Sequence, residues 1–275
     1  MATPRQRERL VTPSCHSDPE GTEGEESHQR SGQAQRRIQT LPLRYAQAHG
    51  DKINNLRQTL LTVYHYLFAD YGPQNWWPAD GPFEVIVGAI LTQSAAWKNV
   101  EKAIAGLKMA GALTPSALRH LSLSELAQLI YPSGYYNAKA LKLKSFALWL
   151  GERYDDDLDE LFARDADCLR QELLSIHGIG DETADSIILY AARKPVFVID
   201  AYTRRIMSRL GLVPFRGNYA AWQALFMDNL PPNEKLFNEY HALLVRHGKE
   251  ACGKTPACAR CCLHHLCPFG VGSHL

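Results

Sequence analysis

Apolar residues recur at helical spacing along most of the chain, beginning near residue 51. In the first such segment, Leu56, Leu60 and Leu67 fall on one face of a helix. The alternation of apolar and polar residues that is typical of half-buried strands is almost absent. The sequence therefore predicts an all-α protein, and the further helices are expected at residues 83–91, 98–109, 115–121, 123–130, 138–154, 158–162, 166–174, 201–210, 219–227 and 234–247.

Two segments interrupt this helical pattern. Residues 1–40 are poor in apolar side chains and rich in Ser, Glu, Gln, Arg and Gly, a composition that predicts a disordered tail. Residues 71–82 contain three prolines and Gly81, so we expect a loop there. This loop carries Trp76 and Trp77. The packed part of the chain is therefore expected to start near residue 41.

The distribution of charge is more informative than its total. The net charge of the 275 residues is +1, which does not indicate a nucleic-acid partner. Residues 193–216, however, contain six basic side chains and a single acid, Asp200, whereas residues 152–172 contain nine acids and three arginines. We expect one basic face and one acidic face, and only the basic face suits a polyanion.

A glycine-rich turn separates two predicted helices at residues 177–180, His-Gly-Ile-Gly. Alternating glycines allow positive φ angles and a close approach of the backbone. The next helix starts near Asp181 or Glu182, and its free N–H groups could accept a phosphate. Asp200 follows the apolar run 195–199 and begins another helix, where the ordinary interpretation is an N-cap.

Five of the seven cysteines lie within residues 252–267. Four of them follow the spacing Cys-x5-Cys-x2-Cys-x5-Cys, and soft thiolates at such spacing indicate zinc or an iron–sulfur cluster. Cys262 is an additional thiol that could replace one of these ligands. The chain has no secretory signal pattern and no apolar run of membrane-spanning length, so we expect reduced thiols in the cytoplasm.

The hairpin, Asp200 and the cysteines together resemble the endonuclease III superfamily of DNA glycosylases. Asp200 follows Glu182 by 18 residues, which is the family's spacing. Residues 91–94 (Leu-Thr-Gln-Ser), residues 134–140 and the cysteine cluster match further family motifs, although the first cysteine gap is one residue short. The resemblance covers residues 56–268 and implies the two-domain helix-hairpin-helix glycosylase fold with a C-terminal iron–sulfur loop.

The resemblance also implies a division of the chain into domains. A six-helix domain with the hairpin would span residues 83–195, and residues 41–82 would pack with residues 196–275 in a second helical domain. Double-stranded damaged DNA would bind in the cleft between them. We expect a monomer with no membrane partner, associated with the nucleoid through DNA.

Individual residues take roles from the same resemblance. Asp200 would be the catalytic carboxylate, and Glu182 stands where members with lyase activity have a lysine that forms a Schiff base. We therefore expect a glycosylase without lyase activity. The other implied roles are insertion into the duplex for Gln93 and Tyr135, phosphate contacts for Gly178, Gly180, Lys139 and Arg204, and ligation of a 4Fe-4S cluster, with zinc as the alternative, for Cys252, Cys258, Cys261 and Cys267.

The expected base pocket consists of Trp76, Trp77, Pro78 and Trp97. These residues resemble the branch that removes alkylated purines such as 3-methyladenine, whose electron-poor rings stack well on indoles. The branch that removes mismatched adenine has a catalytic Glu where this chain has Gly88. A glycosylase for oxidised pyrimidines or another damaged base, and a non-catalytic DNA-binding or redox-sensing module, stay as alternatives.

Overall fold

The structure is a computed structural model that describes residues 43–214 and 217–272, with side chains from residue 55 onward. The expected disordered tail of residues 1–40 lies outside these ranges, as does Arg216 of the basic stretch. Within the described ranges the fold is all-helical and contains no strand, so the predicted fold class is confirmed. No described helix is both long enough and apolar enough to cross a membrane.

Thirteen α-helices follow one another along the described chain. They are α1 (Leu43–Tyr71), α2 (Pro82–Leu91), α3 (Trp97–Met109), α4 (Pro115–His120), α5 (Leu123–Leu129), α6 (Tyr136–Tyr154), α7 (Leu158–Phe162), α8 (Ala166–Leu174), α9 (Asp181–Ser186), α10 (Ala201–Arg209), α11 (Tyr219–Met227), α12 (Glu234–Glu250) and α13 (Pro268–Gly272). A π-helix, Ile187–Ala191, continues α9 without a break.

Side-chain caps explain why several predicted boundaries are accurate. Ser122 and Glu125 form a capping box at the start of α5, in which each side chain accepts from the other residue's backbone N–H. Thr114, Asp157, Asp165, Asn218 and Asn233 cap α4, α7, α8, α11 and α12 in the same manner, each with one or two backbone N–H groups as donors. These residue types are the preferred N-caps, so the sequence marks the helix starts itself.

The first helical group surrounds α2, whose residues from Glu84 to Leu91 are all buried. It packs against α3, α6, α9 and the π-helix. A short apolar helix with such enclosure forms the centre of its group. On α6 the buried residues repeat at helical spacing, from Ala140 through Leu143 and Ala147 to Leu150, and this stripe faces α4 and α5.

The second group is built on α12, which packs against α1 and α10. The Tyr240 hydroxyl donates to the Leu60 carbonyl of α1 over 2.8 Å. Gly248 lies so close to the Tyr202 ring of α10 that a Cβ atom there would come within 2.5 Å of it. The buried side chains of both groups form one continuous core. The expected division into two domains stays a prediction.

The segment 195–199 connects the two groups as an extended, buried chain. Four of its five residues, Val196–Ile199, are buried, and Phe197 stacks on Phe226 with ring centroids 3.9 Å apart. The sequence indicated a strand-like segment here, but no described neighbour pairs with it as a strand. It is buried by helices on its sides instead, and it delivers the chain directly to Asp200.

Candidate active site

The turn between α8 and α9 uses its two glycines differently. Gly178 has φ +82°, and a Cβ atom there would lie 2.3 Å from the Lys142 side chain. Gly180 is the N-cap of α9 with φ −103°, a conformation open to any residue, and no atom lies within 4 Å of its Cβ position. Only Gly178 thus uses the positive φ that a glycine allows. Because no side chain caps α9, its first N–H groups stay available to an anion.

The helix that follows the turn is held from behind by Arg170. Its guanidinium contacts Asp181 over 2.6 Å and the fully buried Asp185 over 2.7 Å. Gln223 of α11 also donates to Asp185, over 2.8 Å. One of the two acids in the first turn of α9 is thus paired away from the turn, which reduces its repulsion of a phosphate.

Gln93, an expected duplex-inserting residue, is bonded to the same turn. Its amide nitrogen donates to the Gly178 carbonyl over 3.0 Å and to the Thr183 hydroxyl over 2.9 Å, and its oxygen accepts from Lys142 over 2.5 Å. Tyr135, the other expected inserting residue, is 74% exposed at the start of α6. The roles of both side chains toward DNA stay predictions.

Lys139 does not have the environment of a phosphate-binding residue. It is 2% exposed, and its ammonium donates to the carbonyls of Leu91 and Ser133 over 2.8 and 2.7 Å. Burial, and then the neighbouring Lys142, lowers its pKa to about 8. The expected phosphate contact of Lys139 is therefore wrong, because this residue lies on the buried stripe of α6. The basic residue at the turn is Lys142, which the sequence analysis missed although it lies one helical turn further on.

Asp200 is both the N-cap of α10 and a component of a buried polar cluster. Its Oδ1 accepts from the Thr203 backbone N–H over 2.7 Å, and the residue is 8% exposed. Its second oxygen, Oδ2, lies 3.7 Å from His241 Nε2. The capping bond leaves one carboxylate oxygen for chemistry.

Glu182 lies in the first turn of α9, close enough to Asp200 for the two charges to interact. Its side chain is exposed to solvent at the surface of the turn. Desolvation, and then the charge of Asp200, raises its pKa from 4.5 to about 7, while Arg204 opposes this shift. Arg204 itself lies over the Tyr219 ring, 5.8 Å from its centroid. The phosphate contact expected of Arg204 stays a prediction.

The aromatic residues expected to form the base pocket meet in one cluster. Trp76 and Trp97 have ring centroids 4.7 Å apart, and Trp77 lies 4.9 Å from the first ring and 5.3 Å from the second. Pro78 is exposed beside them. A Cβ atom on Gly88 would lie 3.0 Å from the Trp77 ring, so the absence of a side chain at this position makes room for the indole.

Two residues that the sequence analysis missed connect this cluster to Asp200. The Trp77 ring lies 5.3 Å from that of Tyr190, and the Tyr190 hydroxyl lies 2.5 Å from His241 Nδ1. Tyr190 belongs to the π-helix, a distortion that is frequent at functional sites. The sequence offered one sign of this link, a histidine on the apolar face of α12. By helical periodicity alone, that position is an ordinary core position.

Four cysteines of the C-terminal loop border a single small cavity. They are the predicted ligands Cys252, Cys258, Cys261 and Cys267. Cys262 does not line this cavity and interacts with Asp70 instead. Among the described residues, no three His, Cys, Asp or Glu side chains converge closely enough to hold a single metal ion. Four thiols arranged around a shared space have the donor set of an iron–sulfur cluster or a structural zinc ion.

Two arginines of α10 attach this loop to the rest of the molecule. Arg209 donates to the Cys252 sulfur over 3.1 Å and to the Gly253 carbonyl over 2.7 Å. Arg205 donates to the carbonyls of Cys252 and Gly248 over 2.8 and 2.9 Å. Two of the six basic residues counted between 193 and 216 are therefore bonded to the backbone of this loop and its neighbour α12, so the basic stretch does not face DNA as a whole.

The amino-acid sequence is similar to those of known DNA repair proteins. The family model for the HhH-GPD superfamily of base excision DNA repair proteins matches residues 87–232. A proposed DNA repair glycosylase of Methanocaldococcus jannaschii is 44% identical over 78% of this chain and 97% of its own length. The endonuclease III of Sulfolobus acidocaldarius is 32% identical over 68% of this chain and 82% of its own length.

Solved structures share the same fold. Endonuclease III in a trapped covalent intermediate with DNA aligns with a TM-score of 0.69 and 22% identity, over 80% of this chain and 99% of that chain. The H. pylori 3-methyladenine DNA glycosylase bound to 1,N6-ethenoadenine aligns with a TM-score of 0.59 and 26% identity, over 71% of this chain and 96% of that chain. The family match and the sequence relatives together establish that this chain belongs to the HhH-GPD superfamily of base excision DNA repair glycosylases.

Proposed function

We propose that this protein is a monofunctional DNA glycosylase that hydrolyses the N-glycosidic bond of alkylated purines of the 3-methyladenine type. The observation that carries the proposal is the cluster of Trp76, Trp77 and Trp97, which connects through Tyr190 and His241 to Asp200. The relationship to the H. pylori 3-methyladenine DNA glycosylase supports the choice of substrate.

The substrate base must leave the duplex before reaction, because its glycosidic bond is inaccessible within the stack. A methylated purine carries a positive charge, and stacking on indoles stabilises it by about 1–2 kcal/mol when water is excluded. The same charge makes the base a good leaving group. A strong general acid is therefore unnecessary, and a pocket of three indoles suffices to select the base.

Asp200 provides the negative charge that the reaction requires. As the bond to the base breaks, positive charge grows on the deoxyribose, and the Oδ2 oxygen that is not used for capping can stabilise it. The same oxygen can orient or deprotonate the water that attacks C1′. Hydrolysis then returns the free base and an abasic site, with no covalent intermediate on the protein.

The lack of lyase activity follows from Glu182. Lyase chemistry needs an amine that attacks C1′ and forms a Schiff base, and a carboxylate has no such reactivity. The two lysines around the turn are committed elsewhere. Lys139 is buried and donates to two carbonyls, and Lys142 is bonded to Gln93.

The DNA-binding surface in this proposal contains the turn at residues 177–180 together with Lys142 and Arg204. Backbone N–H groups at the start of α9 would bind a phosphate without reading sequence. Gln93 and Tyr135 would fill the space that the flipped base leaves. The partner is double-stranded damaged DNA, and we infer a monomer that acts in the cytoplasm on the nucleoid.

The cofactor in this proposal is a 4Fe-4S cluster held by Cys252, Cys258, Cys261 and Cys267, with zinc as the alternative. The group would be structural, because it would cross-link a loop that Arg205 and Arg209 attach to α10. No catalytic step requires it. Exposed Lys254 in the same loop could then reach a DNA phosphate.

A glycosylase for oxidised pyrimidines is the second candidate, because several endonuclease III proteins are related in sequence. Duplexes that each carry a single lesion separate the two. We expect the wild-type protein to release 3-methyladenine or 7-methylguanine and to release no oxidised pyrimidine. Release of oxidised pyrimidines alone would favour the second candidate, and release of no base would favour a non-catalytic DNA-binding module.

Borohydride reduction tests the monofunctional assignment separately. A Schiff base formed during turnover is reduced to a stable covalent adduct between protein and DNA. We expect no such adduct with this protein, whereas Glu182→Lys provides an amine at the matching position and can form one. An adduct with the wild-type chain would show that another amine attacks the sugar.

A further inference from the structure

Three buried polar side chains form a row behind the candidate active site. Tyr190 comes from the π-helix, His241 from α12, and Asp200 precedes α10. The Tyr190 hydroxyl lies 2.5 Å from His241 Nδ1, and His241 Nε2 lies 3.7 Å from Asp200 Oδ2. These residues are only 7%, 7% and 8% exposed. The row thus links three separate elements and ends at one carboxylate oxygen of Asp200.

The surroundings fix the position of the imidazole proton. Burial raises the pKa of Tyr190 well above 10, with the charges of Asp200 and Glu239 adding to the effect, so the hydroxyl keeps its proton. Nε2 faces a carboxylate, and a lone pair at that position would be repelled. The stable arrangement therefore has Tyr190 donating to Nδ1 and the imidazole hydrogen on Nε2.

The imidazole in this row is neutral near pH 7. Burial lowers the pKa of His241, and Lys249 on the same helix adds to the effect, while Asp200 acts in the opposite direction. The groups that face the ring from other elements are Tyr190 and Asp200. A neutral donor can hold Asp200 in place without cancelling its charge.

The Nε2 donor has no hydrogen-bond partner among the described residues. A separation of 3.7 Å is too long for a hydrogen bond, and a buried donor without a partner is destabilising. Asp200 Oδ2 is the acceptor it faces. Hydrogen bonds of active sites are often long in the free protein and shorten when the reacting complex forms.

We propose that His241, held by Tyr190, is a positioning residue that donates a hydrogen bond from Nε2 to Asp200 Oδ2 in the complex with the lesion. This inference rests on the proposed role of Asp200 as the catalytic carboxylate. The Thr203 N–H holds Oδ1 and His241 holds Oδ2, so the carboxylate plane is fixed from both sides. A carboxylate fixed in this way faces C1′ without reorientation during the reaction.

Substitutions at residue 241 separate hydrogen bonding from packing. His241→Leu fills the space but has no donor, whereas His241→Gln keeps an amide N–H near the position of Nε2. We expect His241→Leu to slow single-turnover release of 3-methyladenine by roughly 10- to 100-fold with unchanged affinity for the lesion duplex. His241→Gln should recover most of the rate. Equal rates for the two variants, whether both fast or both slow, would overturn the inference.

Tyr190→Phe provides a second variant that preserves the packing. It removes only the hydroxyl that holds Nδ1, and we expect a rate reduction between about two-fold and ten-fold, the equivalent of one hydrogen bond. Tyr71→Phe is the matched control, because Tyr71 makes a similar bond of 3.0 Å to His247 on the same helix. The control should excise at the wild-type rate. A wild-type rate for Tyr190→Phe would contradict the proposed pair.

A spectroscopic measurement keeps this inference separate from the proposed function. In protein labelled with ¹⁵N-histidine, the resonance that His241→Gln removes should report an Nε2–H tautomer from pH 6 to pH 8. Asp200→Asn should shift this resonance even if the wild-type protein releases no base. An Nδ1–H tautomer, or a resonance insensitive to Asp200→Asn, would refute the inference by itself.

Discussion

At the scale of single residues, Asp200 has two roles that a substitution can separate. Asp200→Asn keeps an oxygen that can accept from the Thr203 N–H, so the cap of α10 survives. It removes the charge, and we expect single-turnover excision to fall by roughly 10²–10³-fold while lesion-duplex affinity holds or increases. Excision at a near-normal rate would eliminate Asp200 as the catalytic carboxylate.

Glu182 should make DNA binding depend on pH. Its pKa of about 7 means that the side chain gains negative charge between pH 6 and pH 8, at the position where a phosphate would approach α9. We expect affinity for undamaged duplex to be weaker at pH 8 than at pH 6, measured by fluorescence anisotropy at constant salt. Glu182→Gln is the control, and it should reduce this difference. An identical pH dependence in the variant would contradict the assignment.

The raised pKa of Glu182 also makes the stability of the folded protein depend on pH. Since the folded protein raises the pKa of Glu182 above 4.5, it binds this proton more tightly than the unfolded chain does. Its contribution to stability is therefore present at low pH and is lost as pH rises from about 4.5 to about 7. Compared with Glu182→Gln, the wild-type chain should lose stability across this window in urea unfolding.

At the scale of elements, the turn before α9 offers a matched pair of substitutions. Gly178→Ala places a Cβ into Lys142 and forces an alanine to φ +82°, so it should reduce stability and DNA affinity together. Gly180→Ala meets no atom within 4 Å and keeps an ordinary φ, so its melting temperature should match the wild type. If phosphate approaches this backbone closely, Gly180→Ala should still weaken DNA binding. Unchanged affinity would place the phosphate elsewhere.

The helices were predictable because local signals agree with the packing. Apolar spacing marks the stripe of α6, and Ser122 and Asp165 mark the starts of α5 and α8. The same spacing could have excluded Lys139 from the surface, since it falls beside Ala140 on that stripe. The π-helix has no such signal, because apolar residues fill all five of its positions.

Candidate site residues were predictable only where a motif surrounds them. Asp200, Glu182 and the tryptophans stand within segments that resemble a family, whereas Tyr190 and His241 lie 51 residues apart in ordinary buried positions. Their meeting depends on how α12 crosses the π-helix. The tertiary arrangement of helices, which no local pattern encodes, decides which buried polar residues reach Asp200.

At the scale of the whole molecule, the cysteine loop should determine how the C-terminal helices hold together. Cys267 borders the shared cavity and donates to the Arg209 carbonyl, whereas Cys262 interacts with Asp70 outside it. We expect wild-type protein to be brown with about four irons per chain, and Cys262→Ala to keep that iron. Cys267→Ala should lose iron and melt at lower temperature. Stoichiometric zinc in the wild-type protein would support the alternative metal.

The aromatic cluster has an optical consequence. The ring centroids of three of the five tryptophans, Trp76, Trp77 and Trp97, lie within 5.3 Å of one another, so most of the molecule's indole rings are at one place. Excitation can pass between rings this close, and a purine stacked on any of them would quench the group. The unlabelled protein therefore carries its own fluorophore for watching a lesion arrive, in real time and before any bond is broken.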